Sequence, residues 1–174
     1  MAYLPRDERR AALIDAALRV IRSGGFAAVS ARSVAQEIGG SPGLIHQHFA
    51  SVGELTGLAW RQYVDENLAE FAEAVGAGGA DPRAEFFANH RDGDRDAELG
   101  LWADAWAHAM RAPQFAEVFA ESLDALAGAL RGAAPELSAV DAERVVLLGV
   151  ALAGMRRVAP DRYGVERAAE IIGG

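Results

Sequence analysis

Apolar positions along this chain recur at intervals of three and four, not two. Leu13, Ala17, Val20 and Ile21, with Ile14 and Ala16 beside them, mark one face of a first helix from about Asp7 to Ser23. Pro5 precedes it and Gly24-Gly25 stops it, and Phe26 and Val29 read as plugs into a small core. Ser30 has the side chain of an N-cap for a second helix, Ala31 to Ile38, with Val34, Ala35 and Ile38 inward. Gly39-Gly40 ends that helix. Ser41 is placed to cap a short third one, Pro42 to about His48, with proline in the first turn, where its missing N–H removes no helical bond. Ser51 and Glu54 form a capping box that opens a fourth helix, predicted to reach about Ala74.

The stretch from Gly76 to Pro82 is the clearest break. Asp81-Pro82 then starts a helix predicted to run to about His90, and a polar turn follows. Leu99 to Met110 is helical in pattern, with Trp102 and Trp106 one turn apart. Pro113 starts a helix to about Arg131. Ser138 caps another, which carries Val145, Val146, Leu148, Ala151, Leu152 and Met155. Pro160 ends it, and a closing helix covers Val165 to Ile172. No stretch alternates with period two and no internal repeat is visible. The pattern predicts an all-α fold of about nine helices, divided into residues 1–56 and residues 57–174.

Composition sharpens this picture by exclusion. The chain has 174 residues, 51% of them apolar, with the excess mostly in alanine, a small residue and the best helix former. There is no cysteine, and all 17 basic residues are arginine. Disulfides, thiol chemistry, Schiff bases and a phosphate-loop lysine are therefore excluded. No apolar run approaches the ~18 residues of a membrane span, and the N-terminus lacks an apolar signal core, so the expectation is a cytoplasmic protein without a membrane partner. The net charge of −8 is uneven: residues 1–60 hold six arginines against five acids, and the remainder eleven against twenty. One part could meet a polyanion while the rest does not, although ordinary solvated helix faces explain the same numbers.

A three-helix unit with a glycine turn between its second and third helices has the geometry of a helix-turn-helix, whose last helix enters the DNA major groove. The residues available there are Ser41, Pro42, Gly43, Leu44, His46, Gln47 and His48. Gln47 can pair with an adenine edge, and Leu44 can touch a thymine methyl. Ser30 and Arg32, at the start of the second helix, are placed for phosphate or base contact, and the helix starts at Ser30 and Ser51 offer N–H groups to phosphates. His46 and His48 are two apart on a helix, so they point away from each other and do not form a metal clamp. Catalytic motifs are missing. No histidine has a glutamate three residues before it, as a di-iron bundle needs, and HExxH, GxSxG and phosphate-cradling glycine loops are absent, so neither an enzyme nor a cofactor is expected. The competing class is a helical small-molecule-binding or interaction protein that has lost operator binding.

The segment Ile14 to Leu55 resembles the DNA-binding signature of the TetR-type one-component repressors. The features that carry the resemblance are the Gly25-Phe26 step, Ser30, the Val34-Ala35 pair, Ile38-Gly39, Ser41, Gly43, His48-Phe49, Ser51 and Glu54-Leu55. Leu99 to Phe115 and Leu147 to Ala168 look similar to the BetI-type C-terminal domain. This resemblance implies a ligand-responsive regulator, commonly a repressor, that binds a pseudo-palindromic double-stranded DNA operator as a homodimer and is switched by a small organic effector. It implies a ligand cavity among the helices between Gly57 and Arg131. Trp60, Tyr63, Phe86, Phe87, His90, Trp102, Trp106, His108 and Met110 are the residues that could line it, and each could equally be plain core. Asp104 and His108, at i and i+4, could form a ligand-polarising pair or a surface hydrogen bond. Val145, Leu148, Gly149, Leu152 and Met155, with Ala168, Ile171 and Ile172, form an apolar surface that the resemblance turns into a dimer face; an internal core helix has the same pattern. Two departures stand out: the family usually has tyrosine where this chain has His46, and lysine where it has Val52. Arg6, Arg9 or Arg10 on the N-terminal arm is then the candidate replacement for a lost phosphate contact.

Overall fold

A computed structural model describes residues 5–78 and 81–173. Residues 79 and 80, inside the expected break, lie outside the described residues. Among the described residues there are ten α-helices and no strand. They are α1 (Arg6–Gly24), α2 (Ala31–Glu37), α3 (Gly43–His48), α4 (Val52–Gly76), α5 (Pro82–Phe86), α6 (Ala88–Arg91), α7 (Asp96–Ala109), α8 (Pro113–Ala133), α9 (Ala139–Val158) and α10 (Val165–Gly173). No described helix is long and apolar enough to cross a membrane.

Helix α1 packs on α4 and on α2, and α2 packs on α3. Leu13, Ile21, Val34, Ile45 and Leu55 are all fully buried in one cluster. Two glycines make the corners. Gly25, after α1, has φ of 73°, and Gly39, after α2, has φ of 63°, a region costly for residues with a Cβ. At the second corner the Gly40 N–H donates to the Ala35 carbonyl and the Gly39 N–H to that of Gln36, at 2.8 and 3.1 Å. This pair of bonds is the Schellman closure, which satisfies helix-end carbonyls and turns the chain sharply. The Ser30 hydroxyl accepts from the Ser33 N–H, and the Ser33 hydroxyl from the Ser30 N–H. Ser51 caps α4 by accepting from the Glu54 N–H at 3.0 Å, while the Glu54 carboxylate accepts from the Ala50 N–H at 2.7 Å. Ser41 differs from expectation: its carbonyl, not its hydroxyl, accepts from Leu44. Pro42 already has helical dihedrals, which makes a side-chain cap unnecessary.

The single helix expected from Pro82 to His90 is two. They divide at Phe87, whose ring is buried beside Gly149 of α9 and whose backbone leaves the helical path at φ −95° and ψ 8°. Helix α7 starts three residues before the expected Leu99. Asp92 caps a 3-10 turn that runs straight into it, and Asp96 and Glu98 in its first turn suit the positive end of the helix dipole.

One core cluster runs from α1 through α4 and α7 to α8 and α9. At its centre Trp60 is fully buried among Phe26, Tyr63, Trp102, Phe115 and Phe119. The Trp60 indole N–H donates to the Ser122 hydroxyl at 2.9 Å, and Ser122 donates to the Val118 carbonyl. The polar atoms of these two buried side chains are thus paired, which offsets their removal from water. A second cluster joins Phe87, Leu130, Ala142 and Val145 near the other end of the bundle.

Candidate functional site

Helix α3 is anchored by Ile45, which is fully buried, and turns its opposite side to solvent. Gly43, His46 and Gln47 are exposed, and their i, i+3, i+4 spacing places them on one face. Nothing lies within 4 Å of where a Gly43 Cβ would stand, so the backbone is open to close approach. Ser30, Arg32, Ser41 and Pro42 are exposed at the adjoining helix starts, and Leu44 and Ser51 are half-buried. His48 is the exception. It packs beside Phe49, its Nδ1 is buried, and burial together with Arg6, Arg9 and Arg10 holds its pKa below the usual histidine range. His46 and His48 therefore sit in different environments, one in solvent and one tucked in. The arginines of the arm gather near the end of α3. Arg10 lies over the Phe49 ring at 4.7 Å and donates to Glu54 at 3.2 Å. Val52, where the family usually has lysine, is half-buried and offers no charge.

A cavity of about 530 Å³ opens between α4, α5, α6, α7, α8 and α9. Of the nine residues named from sequence, Phe86, His90 and Trp102 line it. The other six do not. Trp60, Tyr63 and Phe87 are buried in the core, where close packing takes their rings. The Tyr63 hydroxyl donates to the Glu98 carbonyl, and burial pushes its pKa up to about 12. Trp106 and Met110 are 44% and 72% exposed, on the side of α7 away from the core. His108 stacks on Phe26 with ring centroids 5.1 Å apart and meets Phe115 edge-on. It does not pair with Asp104, whose carboxylate accepts from Arg157 at 2.7 Å instead.

What aromatic spacing missed is the polar side of the cavity. Asn67, Glu70 and Glu73 on α4, Glu85 on α5, Asn89 on α6 and Arg95 also line it. Their i, i+3 recurrence along α4 was the available signal. His90 bonds through Nε2 to the Gly149 carbonyl at 2.9 Å, and burial lowers its pKa. A carbonyl only accepts, so Nε2 carries the hydrogen and Nδ1, in the neutral ring, is a bare acceptor. That atom is buried and has no partner. Gly149 is what lets these rings come so close: a Cβ there would stand 3.3 Å from a Phe86 ring carbon and 3.6 Å from His90.

The stripe expected to pair two copies faces largely inward. Val145, Gly149, Leu152 and Ala168 are buried within the chain, and Leu148 and Ile172 pack against the second cluster, with Met155 and Ile171 half-buried. Apolar groups already withdrawn from water have no more to gain from a second copy. The outer face of α9 carries other residues: Val140, Leu147 and Val158 are 54%, 47% and 79% exposed. Steps of seven and eleven residues keep them in line on a helix. Beside them Leu123, Ala127, Val146 and Leu147 line a groove between α8 and α9.

With this geometry in place, the comparisons are direct. The family model described as bacterial regulatory proteins, tetR family, matches residues 13–55. No curated protein matches the chain. Among solved structures, one assigned as a transcriptional regulator of Streptomyces coelicolor A3(2) is 26% identical, with 95% of this chain and 96% of that one covered and a TM-score of 0.74. The multidrug binding protein EbrR complexed with imidazole is 28% identical, with 95% and 93% covered and a TM-score of 0.71. Its complex with malachite green is 29% identical over 95% and 96%, with a TM-score of 0.62. A transcriptional regulator of Rhodococcus sp. Rha1 is 27% identical over 94% and 91%, with a TM-score of 0.69. The matched segment spans the anchored α2–turn–α3 unit, which carries the tetR-family match, and the similarity in fold to transcriptional regulators extends over nearly the whole chain.

Proposed function

We propose that this chain is a repressor that binds a pseudo-palindromic operator as a homodimer and is switched by a small organic ligand. Residues 1–56 read DNA and residues 57–174 hold the ligand and the partner copy. The exposed face of Gly43, His46 and Gln47 meets base edges in the major groove, and Ser30, Arg32, Ser41 and Ser51 meet phosphates. The ligand enters the 530 Å³ cavity, which is within the size range of small-molecule sites. EbrR, similar in fold and 28% identical, holds imidazole in one structure and malachite green in another, which supports a ligand in this bundle. Dimerisation uses the outer faces of α8 and α9, where Val140, Leu147 and Val158 stand in solvent.

The observation that carries this reading is one helix that touches both places. On α7, Trp102 lines the cavity and His108 stacks on Phe26, just beyond α1. A ligand that favours one position of α7 therefore biases the DNA-reading heads. The test is selection of bound genomic fragments by the purified protein, then gel shift at low salt and at about 0.2 M salt, the range in which non-specific phosphate binding fades. Retention of specific fragments by a dimer supports the reading. Absence of any retained fragment, with a folded protein, refutes it.

A further inference from the structure

The chemistry of the cavity lining is one-sided. Three carboxylates, Glu70, Glu73 and Glu85, stand on it, against one cation, Arg95. Arg95 is already committed: it donates to Glu98 at 2.6 Å and feels the field of Glu70 as well. The guanidinium deeper in, Arg156, is buried and bound to Asp96 and to the His90 carbonyl. Glu70, Glu73 and Glu85 have no ion-pair partner among the described residues. Below this rim lie the rings of Phe71, Phe86 and Trp102, whose faces attract cations. His90 adds a second, independent feature. It is 5% exposed and lines the cavity, and its bare acceptor Nδ1 is buried with no donor to fill it. An unfilled buried acceptor costs free energy until a donor arrives.

We propose that the cavity takes a protonated organic amine. Its apolar body lies on the rings, and its charged N–H groups stand in the field of the Glu70, Glu73 and Glu85 carboxylates. A carboxylate ligand would meet three like charges, and a neutral one would leave them uncompensated. This assignment rests on the reading that the cavity is the ligand site.

The test compares four probes of one shape by titration calorimetry on the full chain: 4-phenylbutylamine, its trimethylammonium analogue, 4-phenylbutanol and 5-phenylpentanoate. The expected order is amine, then trimethylammonium, then alcohol, then carboxylate, with about tenfold or more between amine and alcohol. The triple variant Glu70→Gln, Glu73→Gln, Glu85→Gln brings the amine down to the affinity of the alcohol and leaves the alcohol unchanged. These side chains sit at the rim, and unchanged alcohol binding shows that the cavity still forms. Alcohol or carboxylate binding as tightly as the amine overturns the cation assignment and leaves the cavity reading standing. Failure of all four probes to bind up to about 10 mM, the weak limit for fragments of this size, overturns both.

Discussion

Arg32, proposed to meet a phosphate, isolates the electrostatic part of that contact in a single charge. Among the arginines near the reading head, Arg10 bonds to Glu54, Arg19 to Glu37 and Arg22 to Glu66, at 3.2, 2.8 and 2.8 Å. Arg32 is exposed at the start of α2 and has no carboxylate partner among the described residues. Its full charge is available to a phosphate. Each phosphate contact contributes about 0.9 to the slope of log affinity against log salt, so losing one in each copy of a dimer lowers the slope by about 1.8. Across a fourfold salt range, about 50 to 200 mM, that is roughly a twelvefold smaller loss of affinity for Arg32→Ala than for the parent. Stability should stay within about 0.5 kcal/mol, because an exposed, unpaired side chain is removed. The assay is fluorescence anisotropy on a selected genomic fragment and on random DNA, each over a salt series. Arg19→Ala, whose charge is already paired, is the control and keeps the parent slope. An unchanged slope for Arg32→Ala, or an equal change for Arg19→Ala, would refute the placement of α2 against the backbone.

Val52→Lys restores the charge that the family usually carries at the start of α4, and the same salt series should steepen by about 0.9 per copy, with tighter binding to all sequences. Gly149→Val puts methyl groups where a Cβ alone stands 3.3 Å from Phe86, so amine binding by calorimetry should be lost and the chain destabilised by about 1–3 kcal/mol. Retained binding would mean that the ligand lies elsewhere. His108→Ala removes a ring stacked 5.1 Å from Phe26 and 4.8 Å from Phe115, leaving DNA and ligand binding each intact but shrinking the change that one makes in the other. Gel shifts titrated with ligand read that coupling, and an unchanged coupling would clear His108 of any part in it. Burial lowers the folded-state pKa of His90, His108 and His48, so the unfolded chain takes up protons first, and stability should fall as pH drops below about 6.5. Urea melts from pH 8 to pH 5 measure this; His90→Gln should flatten part of the fall, and a flat parent profile would contradict the buried neutral rings.

How much of this was legible in the sequence follows from what local signals encode. Gly25, Gly39, Ser30 and Ser51 act within a few residues of themselves, and their corners and caps came out where the pattern placed them. The break at Phe87 did not: its buried ring lies beside Gly149, sixty-two residues away, a neighbour that local periodicity does not encode. The periodicity of α7 shows that Trp102 and Trp106 share a helix, and it cannot show that one turn meets a void and the next meets water. The stripe of Val145, Gly149 and Leu152 is truly apolar, yet apolarity does not say whether the neighbour belongs to the same chain or to another. The i, i+3 recurrence of Asn67, Glu70 and Glu73 marks one polar face of α4, and the packing of α5 and α9 around that face is what makes it a cavity rim.

The position of that rim constrains which ligands can act as switches. Glu70 and Glu73 stand on α4, which begins at the DNA-reading unit, while Trp102 stands on α7, whose far end holds Phe26 through His108. Trp102 and His108 are six residues apart, about 9 Å along the axis, so a displacement at one end of α7 arrives at the other with little room to dissipate in a close-packed core. A ligand held by α4 alone keeps the same contacts whichever way α7 lies, and by that fact alone shifts no equilibrium, however tightly it binds. A ligand whose charge sits at Glu70 and whose rings press on Trp102 has contacts that change when α4 and α7 move relative to each other. A difference of about 1.4 kcal/mol between the two arrangements already changes operator affinity tenfold. If the cavity takes an amine as proposed, affinity and switching should separate by molecular length: in gel shifts titrated with amines of increasing length, short ones should bind and leave DNA binding unchanged, whereas those long enough to span α4 and α7 should alter it.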